Sequence, residues 1–220
     1  MKTLAAITCF LILATVSQAQ ISIAAHAGYT LAWEDYGDII LPEDAVIHIH
    51  GFHAAAAINY TLSKRISLAT EPGLTRRGAA CVPGWNQGIN PNPNFPADTR
   101  FLLDYAELPM LFQMHFGFGQ GRFELVPSLG YSTAMMLRGT EETIDLETKK
   151  VVNSRLLDIG GAFGEVRRFD HGAKCGLKLA RNFVGYQVYA KTSFYMAMRD
   201  ASPGLSSKNR ALDLSIGYMF

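Results

Sequence analysis

Apolar residues alternate with small or polar ones along most of the chain, the period-two pattern of strands that have two different faces. The pattern is clearest in 210–220, where every even position from Leu212 to Phe220 is apolar. It predicts eight strands, at about 21–33, 49–62, 66–78, 101–116, 123–137 and 156–166, then from Ala173 onward, and at 210–220. Several are as long as the roughly 9 to 11 residues that cross a membrane at a tilt.

The connections between these strands alternate in length. Segments 62–65, 117–122 and 167–172 are tight, whereas 33–47, 79–100, 138–155 and about 184–207 are long. Short periplasmic turns and long extracellular loops are typical of bacterial outer-membrane barrels. The predicted fold is therefore all-β: an antiparallel up-and-down transmembrane β-barrel of about eight strands.

Alternation alone does not say which face looks outward. A soluble lipocalin-like barrel would hold an apolar ligand inside an apolar face. Here the opposite face is rich in Gly, Ala and Ser with scattered charges, which suits a narrow lumen better than a surface in water. Insertion in a membrane is the favoured interpretation, because a closed barrel leaves no unpaired edge in hydrocarbon.

The first residues have the pattern of an export signal. Lys2 precedes an apolar run at 4–16, and Ser17-Gln18-Ala19 supplies small residues for cleavage. The run is too short for a membrane-spanning helix, which needs about 20 apolar residues. We expect residues 1–19 to be removed and 20–220 to form the barrel domain, in the cell outer membrane.

Composition agrees with export to a membrane. The chain is 49% hydrophobic, and its formal charge of +1 falls to zero once Lys2 is lost. This balance gives no reason to expect nucleic acid as a partner. The expected surroundings are outer-membrane lipid.

Several segments resemble the PorT-like outer-membrane β-barrel family. They are YAELPML at 105–111, LDIGGAFG at 157–164, GLKLAR at 176–181 and KNRALDLSIGYMF at 208–220. The resemblance spans nearly the whole mature chain and implies an outer-membrane barrel. Because some relatives assist a protein-secretion system, it also implies other envelope or secretion-system proteins as partners.

Charged residues on the small and polar faces of the strands are expected to meet in the lumen. They are Glu71, Glu107, Glu124, Asp158, Lys174, Lys178 and Asp213. Isolated charges are costly away from water, so these groups should pair. A barrel of about eight strands has an interior just wide enough for its own side chains, which argues against a diffusion pore.

Histidines and cysteines offer little for a metal site. His26 and His53 can meet in the lumen if the first two strands pair, but two imidazoles alone make a weak site, so no metal or other cofactor is expected. Cys81 begins a long loop and Cys175 lies near a predicted short turn, so the two thiols should sit at opposite ends and stay free.

Aromatic residues near strand ends are expected to anchor the barrel at the lipid interface. They include Tyr29, Trp33, Tyr60, Tyr131, Tyr218 and Phe220. The second long loop holds four prolines and carries Trp85 and Phe95 as candidate recognition residues.

No motif supports catalysis: the chain has no nucleophile elbow, phosphate loop or zinc-protease helix. The predicted role is structural or interactive, as an accessory of a secretion or envelope complex. The alternatives are a periplasmic lipocalin-like barrel for an apolar ligand and a narrow channel. The role of 187–198 stays open, because this segment is more apolar than a plain loop and could extend the last hairpin.

Overall fold

The computed structural model describes residues 21–35, 46–81, 97–145, 148, 150–160, 166–201 and 207–220. Within these residues the regular structure is β-strand. The strands are β1 (Ile21–Asp35), β2 (Val46–Ile47), β3 (Ile49–Ser63), β4 (Ile66–Thr70), β5 (Gly73–Cys81), β6 (Ala97–Met114), β7 (Phe116–Phe118), β8 (Phe123–Asp145), β9 (Val151–Leu156), β10 (Phe169–Phe183), β11 (Tyr186–Ala197) and β12 (Lys208–Met219). No helix in these ranges is long and apolar enough to span a bilayer.

The strands close into one antiparallel ring. Strand β1 pairs with β3 on one side and with β12 on the other. The ring continues from β3 through β4 and β5, then β6 with β7, then β8, β10 and β11 back to β12. Because β4 with β5, and β6 with β7, each form one interrupted wall strand, the barrel has eight wall strands, as predicted.

The two ends of the barrel differ. At the turn end, short connections join β3 to β4, β7 to β8 and β10 to β11. The last of these is the pair Val184–Gly185, where Gly185 has a φ of +86° that glycine adopts without steric cost. At the loop end lie the long connections. Two of the three predicted tight turns are present, and the third is replaced by the one at Val184–Gly185.

Side-chain exposure separates the two faces of the wall. Outward positions are apolar and open, such as Met110 at 69% and Ile216 at 71% exposed. Inward positions are small, polar or charged and buried, such as Thr30 at 0% and Asp213 at 2%. This is the reverse of a soluble barrel, which keeps its apolar side chains inside.

Strand β8 is far longer than a membrane crossing requires. It has 23 residues, and its last part pairs with β6 on one side and β9 on the other. From Met135, which pairs with the first residue of β10, to Asp145 the strand extends roughly 30 Å at about 3.3 Å per residue. We call β9 and the parts of β6 and β8 beside it the loop-end extension.

The predicted strand at 156–166 is wrong. Strand β9 ends at Leu156, and the residues after it form an isolated bridge, Ile159 to Val166, instead of a wall strand. The sixth wall strand is β10, which begins at Phe169 and so contains residues 169–172 of the predicted turn 167–172. Alternation at 157–163 resembles a strand because Asp158, Gly160 and Ala162 have the pattern of a small or polar face.

The segment 187–198 is the seventh wall strand and does not extend a hairpin beyond the barrel. Strand β11 pairs with β10 along its whole length and with β12 from Gln187 to Met196. Its inward face contains Tyr189 and Tyr195, and its outward face contains Ala190 and Thr192. The contrast in hydrophobicity between the two faces is therefore weak, which conceals the strand in the sequence.

Candidate functional site in the lumen

The lumen near the loop end holds a group of ion pairs that we call the upper network: Arg77, Glu107, Asp170, Lys174 and Asp213. Glu107 lies 2.8 Å from the Arg77 guanidinium and 3.0 Å from the Lys174 ammonium. Lys174 also lies 3.5 Å from Asp213, and Arg77 lies 3.8 Å from Asp170. Arg77, Glu107 and Lys174 are thus each shared between two partners on different strands, and Asp170 and Asp213 each pair with one cation.

Neutral groups also belong to the upper network. Ser132 donates to Glu107 at 2.6 Å, and Thr30 donates to Asp213 at 2.7 Å. The Arg77 guanidinium sits 3.7 Å from the ring centroid of Tyr195, a cation–π contact. Arg77, Tyr105, Tyr195 and Lys174 are the largest fully buried side chains. They fill the barrel cross-section at this level.

A second group, the middle network, consists of His26, His53, Glu71, Lys191 and Tyr189. Lys191 forms an ion pair with Glu71. His26 contacts His53 through their Nε2 atoms at 3.0 Å and the Tyr189 hydroxyl through Nδ1 at 3.1 Å. The two histidines therefore meet in the lumen, because β1 and β3 are neighbours.

The middle network is not built as a metal site. Glu71, the carboxylate nearest to His26 at 4.0 Å, is already paired with Lys191. Across the described ranges, no three His, Cys, Asp or Glu side chains come together as metal ligands.

The lower network lies towards the turn end and consists of Ser67, Gln113, His115, Glu124 and Gln187. Glu124 lies 2.9 Å from His115 Nδ1 and accepts a hydrogen bond from Gln187 at 3.0 Å. Ser67 donates to Gln113 at 3.1 Å and contacts His115 Nε2 at 2.7 Å. Lys178 stands between the lower and middle networks, with its ammonium 5.2 Å from the Tyr189 ring centroid.

One of the predicted lumen charges, Asp158, does not lie in the lumen. The structure places Asp158 on an exposed stretch after β9, outside the barrel wall, because the predicted strand that carried it does not form. Glu71, Glu107, Glu124, Lys174, Lys178 and Asp213 all point inward.

Sequence reasoning missed three charged members of the networks. Arg77 had a usable signal, because it shares the parity of Thr75 on a predicted strand. Lys191 and Asp170 had none, since the first lay in a predicted loop and the second in a predicted turn.

The predicted interfacial aromatics all lie on the outward face: Tyr29, Trp33, Tyr60, Tyr131, Tyr218 and Phe220. At the turn end the rings form a continuous row. Centroids are 4.8 Å apart for Phe183 and Tyr186, 5.3 Å for Tyr186 and Tyr218, and 4.8 Å for Tyr218 and Phe220. Phe183 and Tyr186 also belong to this row, although the sequence pattern predicts a long loop from about 184.

Other predicted features are only partly covered by the structure. The loop residues Trp85 and Phe95 lie outside the described residues, as does the side chain of Cys81. Cys175 is a free thiol on the outward face.

Comparison with known proteins gives structural similarity only. No protein-family model and no curated protein matches the chain. Neisserial surface protein A is 14% identical over 91% of this chain and 97% of its own, with a TM-score of 0.46. The outer membrane protein OprG from Pseudomonas aeruginosa is 10% identical over 90% and 95%, with a TM-score of 0.44. The outer membrane protease OmpT from Escherichia coli is 12% identical over 92% and 95%, with a TM-score of 0.39.

Proposed function

We propose that this chain is an outer-membrane β-barrel that acts by binding another envelope protein, as an accessory of a secretion or envelope complex. The observation that carries the proposal is that the wall has apolar side chains outside and polar ones inside, the reverse of a soluble barrel, and that side chains fill the lumen. Residues 1–19 are removed on export, so N-terminal sequencing of the purified protein should begin at Gln20. The resemblance of four segments to the PorT-like family supports the same proposal.

The apolar outward face supports insertion in a bilayer. Side chains such as Met110 and Ile216 are more than half exposed, and water would not solvate a continuous apolar band of this kind. The aromatic row at the turn end suits the lipid interface. In this orientation the short turns face the periplasm and the long loops face outward.

The filled lumen argues against the two alternative functions. Arg77, Lys174 and Tyr195 occupy the cross-section where a channel would need water. An apolar ligand, as in a lipocalin, would have to displace paired buried charges, which are costly to leave unpaired. Ser67 contacts His115 Nε2 at 2.7 Å and His115 Nδ1 contacts Glu124 at 2.9 Å, which is the order of a nucleophile, a base and an orienting carboxylate. An enzyme is still disfavoured, because the Ser67 side chain is only 1% exposed and its hydroxyl donates to Gln113 and not to the imidazole.

The loop-end extension is the surface that we propose binds the partner. Strand β9 is exposed at every residue, including Val152 at 62% and Leu156 at 66%. In the described part of the chain β9 pairs as a strand only with β8, so β9 lies at the edge of the sheet. An exposed edge of this kind binds an added strand from another chain.

Photo-crosslinking in cells tests this proposal. A photoreactive phenylalanine at Val152 should crosslink to one discrete envelope protein. The same group at Leu214, which lies on the outward wall and is 52% exposed, should not. Replacing 146–154 by a tight turn should abolish the complex while the barrel still folds. The proposal is wrong if the Val152 variant gives no adduct or if the shortened variant keeps its complex.

A further inference from the structure

A cavity of about 580 Å³ opens at the turn end of the barrel. We call it the mouth pocket. Its volume is within the range of about 300 to 1,000 Å³ that small-molecule sites occupy. Polar side chains from several strands line its wall: Asn59, Thr61, Ser67, His115, Glu124 and Lys178. Ile21, Met219 and Phe220 form an apolar lip.

Lys178 differs from the other charged groups in this wall because it is largely buried and has no direct ion-pair partner among the described residues. It is 8% exposed, and it separates the mouth pocket from an inner void of about 10 Å³, room for about one water molecule. Among the described residues its ammonium has no hydrogen-bond acceptor and no carboxylate at ion-pair distance, only the ring of Tyr189. By contrast, Lys174 and Lys191 each pair with a carboxylate.

The one side-chain carboxylate in the wall of the mouth pocket is already occupied. Glu124 is held by His115 at one oxygen and by Gln187 at the other. The rest of the wall offers hydroxyl and amide groups, and Lys64 adds a second cation at the rim. The Lys178 ammonium faces the pocket with Glu124 as a neighbouring charge that does not reach ion-pair distance, so it still attracts an incoming negative charge.

We propose that the mouth pocket binds a small organic anion, a carboxylate or phosphate carried on a hydroxylated skeleton. The acidic group pairs with the Lys178 ammonium, and the hydroxyls bind the side chains of Asn59 and Thr61. A charge-assisted contact inside the barrel mouth is stronger than one in open water. This site needs only the folded barrel, so it is independent of the proposed partner at the loop end.

Isothermal titration calorimetry on the folded full-length barrel in a neutral detergent at low salt tests this site. The probes are gluconate, glucose 6-phosphate, inorganic phosphate and the neutral polyol sorbitol. We expect one or both of the hydroxylated anions to bind and sorbitol not to bind. Lys178→Met, which keeps the length of the side chain and removes its charge, should weaken binding by about tenfold or more.

Matched variants separate binding from folding. Lys208→Met, on the outward face at the loop end, should bind like the wild type. Lys178→Arg should retain most of the affinity, and heat-modifiable migration should report that Lys178→Met still folds. Preference for gluconate or for glucose 6-phosphate identifies the acid as a carboxylate or a phosphate.

Three results would overturn the assignment. The first is that no anion binds the wild type at millimolar concentration. The second is that Lys178→Met binds as tightly as the wild type. The third is that inorganic phosphate binds as well as glucose 6-phosphate while gluconate does not, which would leave no role for the hydroxylated skeleton.

Discussion

Lys174 connects two carboxylates that would otherwise repel each other inside the barrel. Its ammonium lies 3.0 Å from Glu107 and 3.5 Å from Asp213, and all three side chains are at most 2% exposed. Replacing one member of a buried charge group leaves the remaining charges uncompensated and costs about 3 to 5 kcal/mol. We therefore expect Lys174→Met to lower the free energy of unfolding by about that amount, measured by urea titration in lipid vesicles.

The control for this variant is Lys64→Met, because Lys64 is exposed in the turn between β3 and β4. A surface substitution of this kind changes stability by about 0.5 kcal/mol or less. Adding Asp213→Asn to Lys174→Met should recover part of the loss, since one unpaired carboxylate disappears. A loss below about 1 kcal/mol for Lys174→Met would show that the upper network does not stabilise the barrel.

Inward direction was readable from the sequence at most lumen positions, but the choice of partners was not. Period-two parity alone places Glu71, Glu107 and Asp213 on the inner face. Which cation meets which carboxylate depends on the stagger between strands that are far apart in the chain. The pair Lys191 and Glu71, separated by 120 positions, has no local signal.

Strands β11 and β12 fit together through one glycine. Gly217 pairs with Tyr189 across the two strands, and a Cβ added at Gly217 would lie 2.2 Å from Cζ of that ring. The Tyr189 hydroxyl contacts His26, so the ring has little freedom to move. Overfilling such a site costs about 1 to 3 kcal/mol. Gly217→Ala should lower the free energy of unfolding by this amount.

A double-mutant cycle isolates the contact. In a Tyr189→Ala background, Gly217→Ala should cost less than in the wild type, with a coupling of about 0.5 to 3 kcal/mol. Gly117→Ala is the matched control, because its added Cβ would meet nothing nearer than 4.0 Å. Equal costs of Gly217→Ala in both backgrounds would mean that the ring does not require the glycine.

The same pair of strands explains why the sequence pattern does not predict strand β11. Large aromatic rings can point into this lumen because small residues such as Gly217 face them from neighbouring strands. Tyr189 therefore occupies an inner position that a pattern of apolar outward and polar inward residues assigns to the outside. The stretch 157–163 shows the opposite case: its alternation is regular, but it does not become a wall strand. At the loop end, β8 already pairs with β9. Periodicity in the sequence identifies the two faces of a strand. Which strands pair with it is decided only by the tertiary structure.

At the scale of the whole molecule, the alternation of apolar and polar residues gives the barrel an apolar outer surface and a polar interior. The outward band is apolar on all eight wall strands, and the interior is filled by ion pairs and rings. A barrel of about eight strands leaves an interior just wide enough for side chains. We therefore expect the same geometry to give both membrane insertion and a lumen without a diffusion pore.

The refolded protein in planar bilayers should therefore insert without giving conductance steps, whereas a sixteen-stranded porin in the same bilayers gives large ones. Insertion itself is checked by heat-modifiable migration on gels and by resistance to extraction with alkaline carbonate. These controls distinguish a closed barrel in the membrane from a protein that failed to insert. Arg77→Ala combined with Tyr195→Ala removes two side chains that fill the upper network, so this variant should admit water and small ions and show a measurable leak. Steady steps from the wild type would contradict the filled lumen. An extractable protein with no heat-dependent shift would contradict the membrane orientation of the two faces.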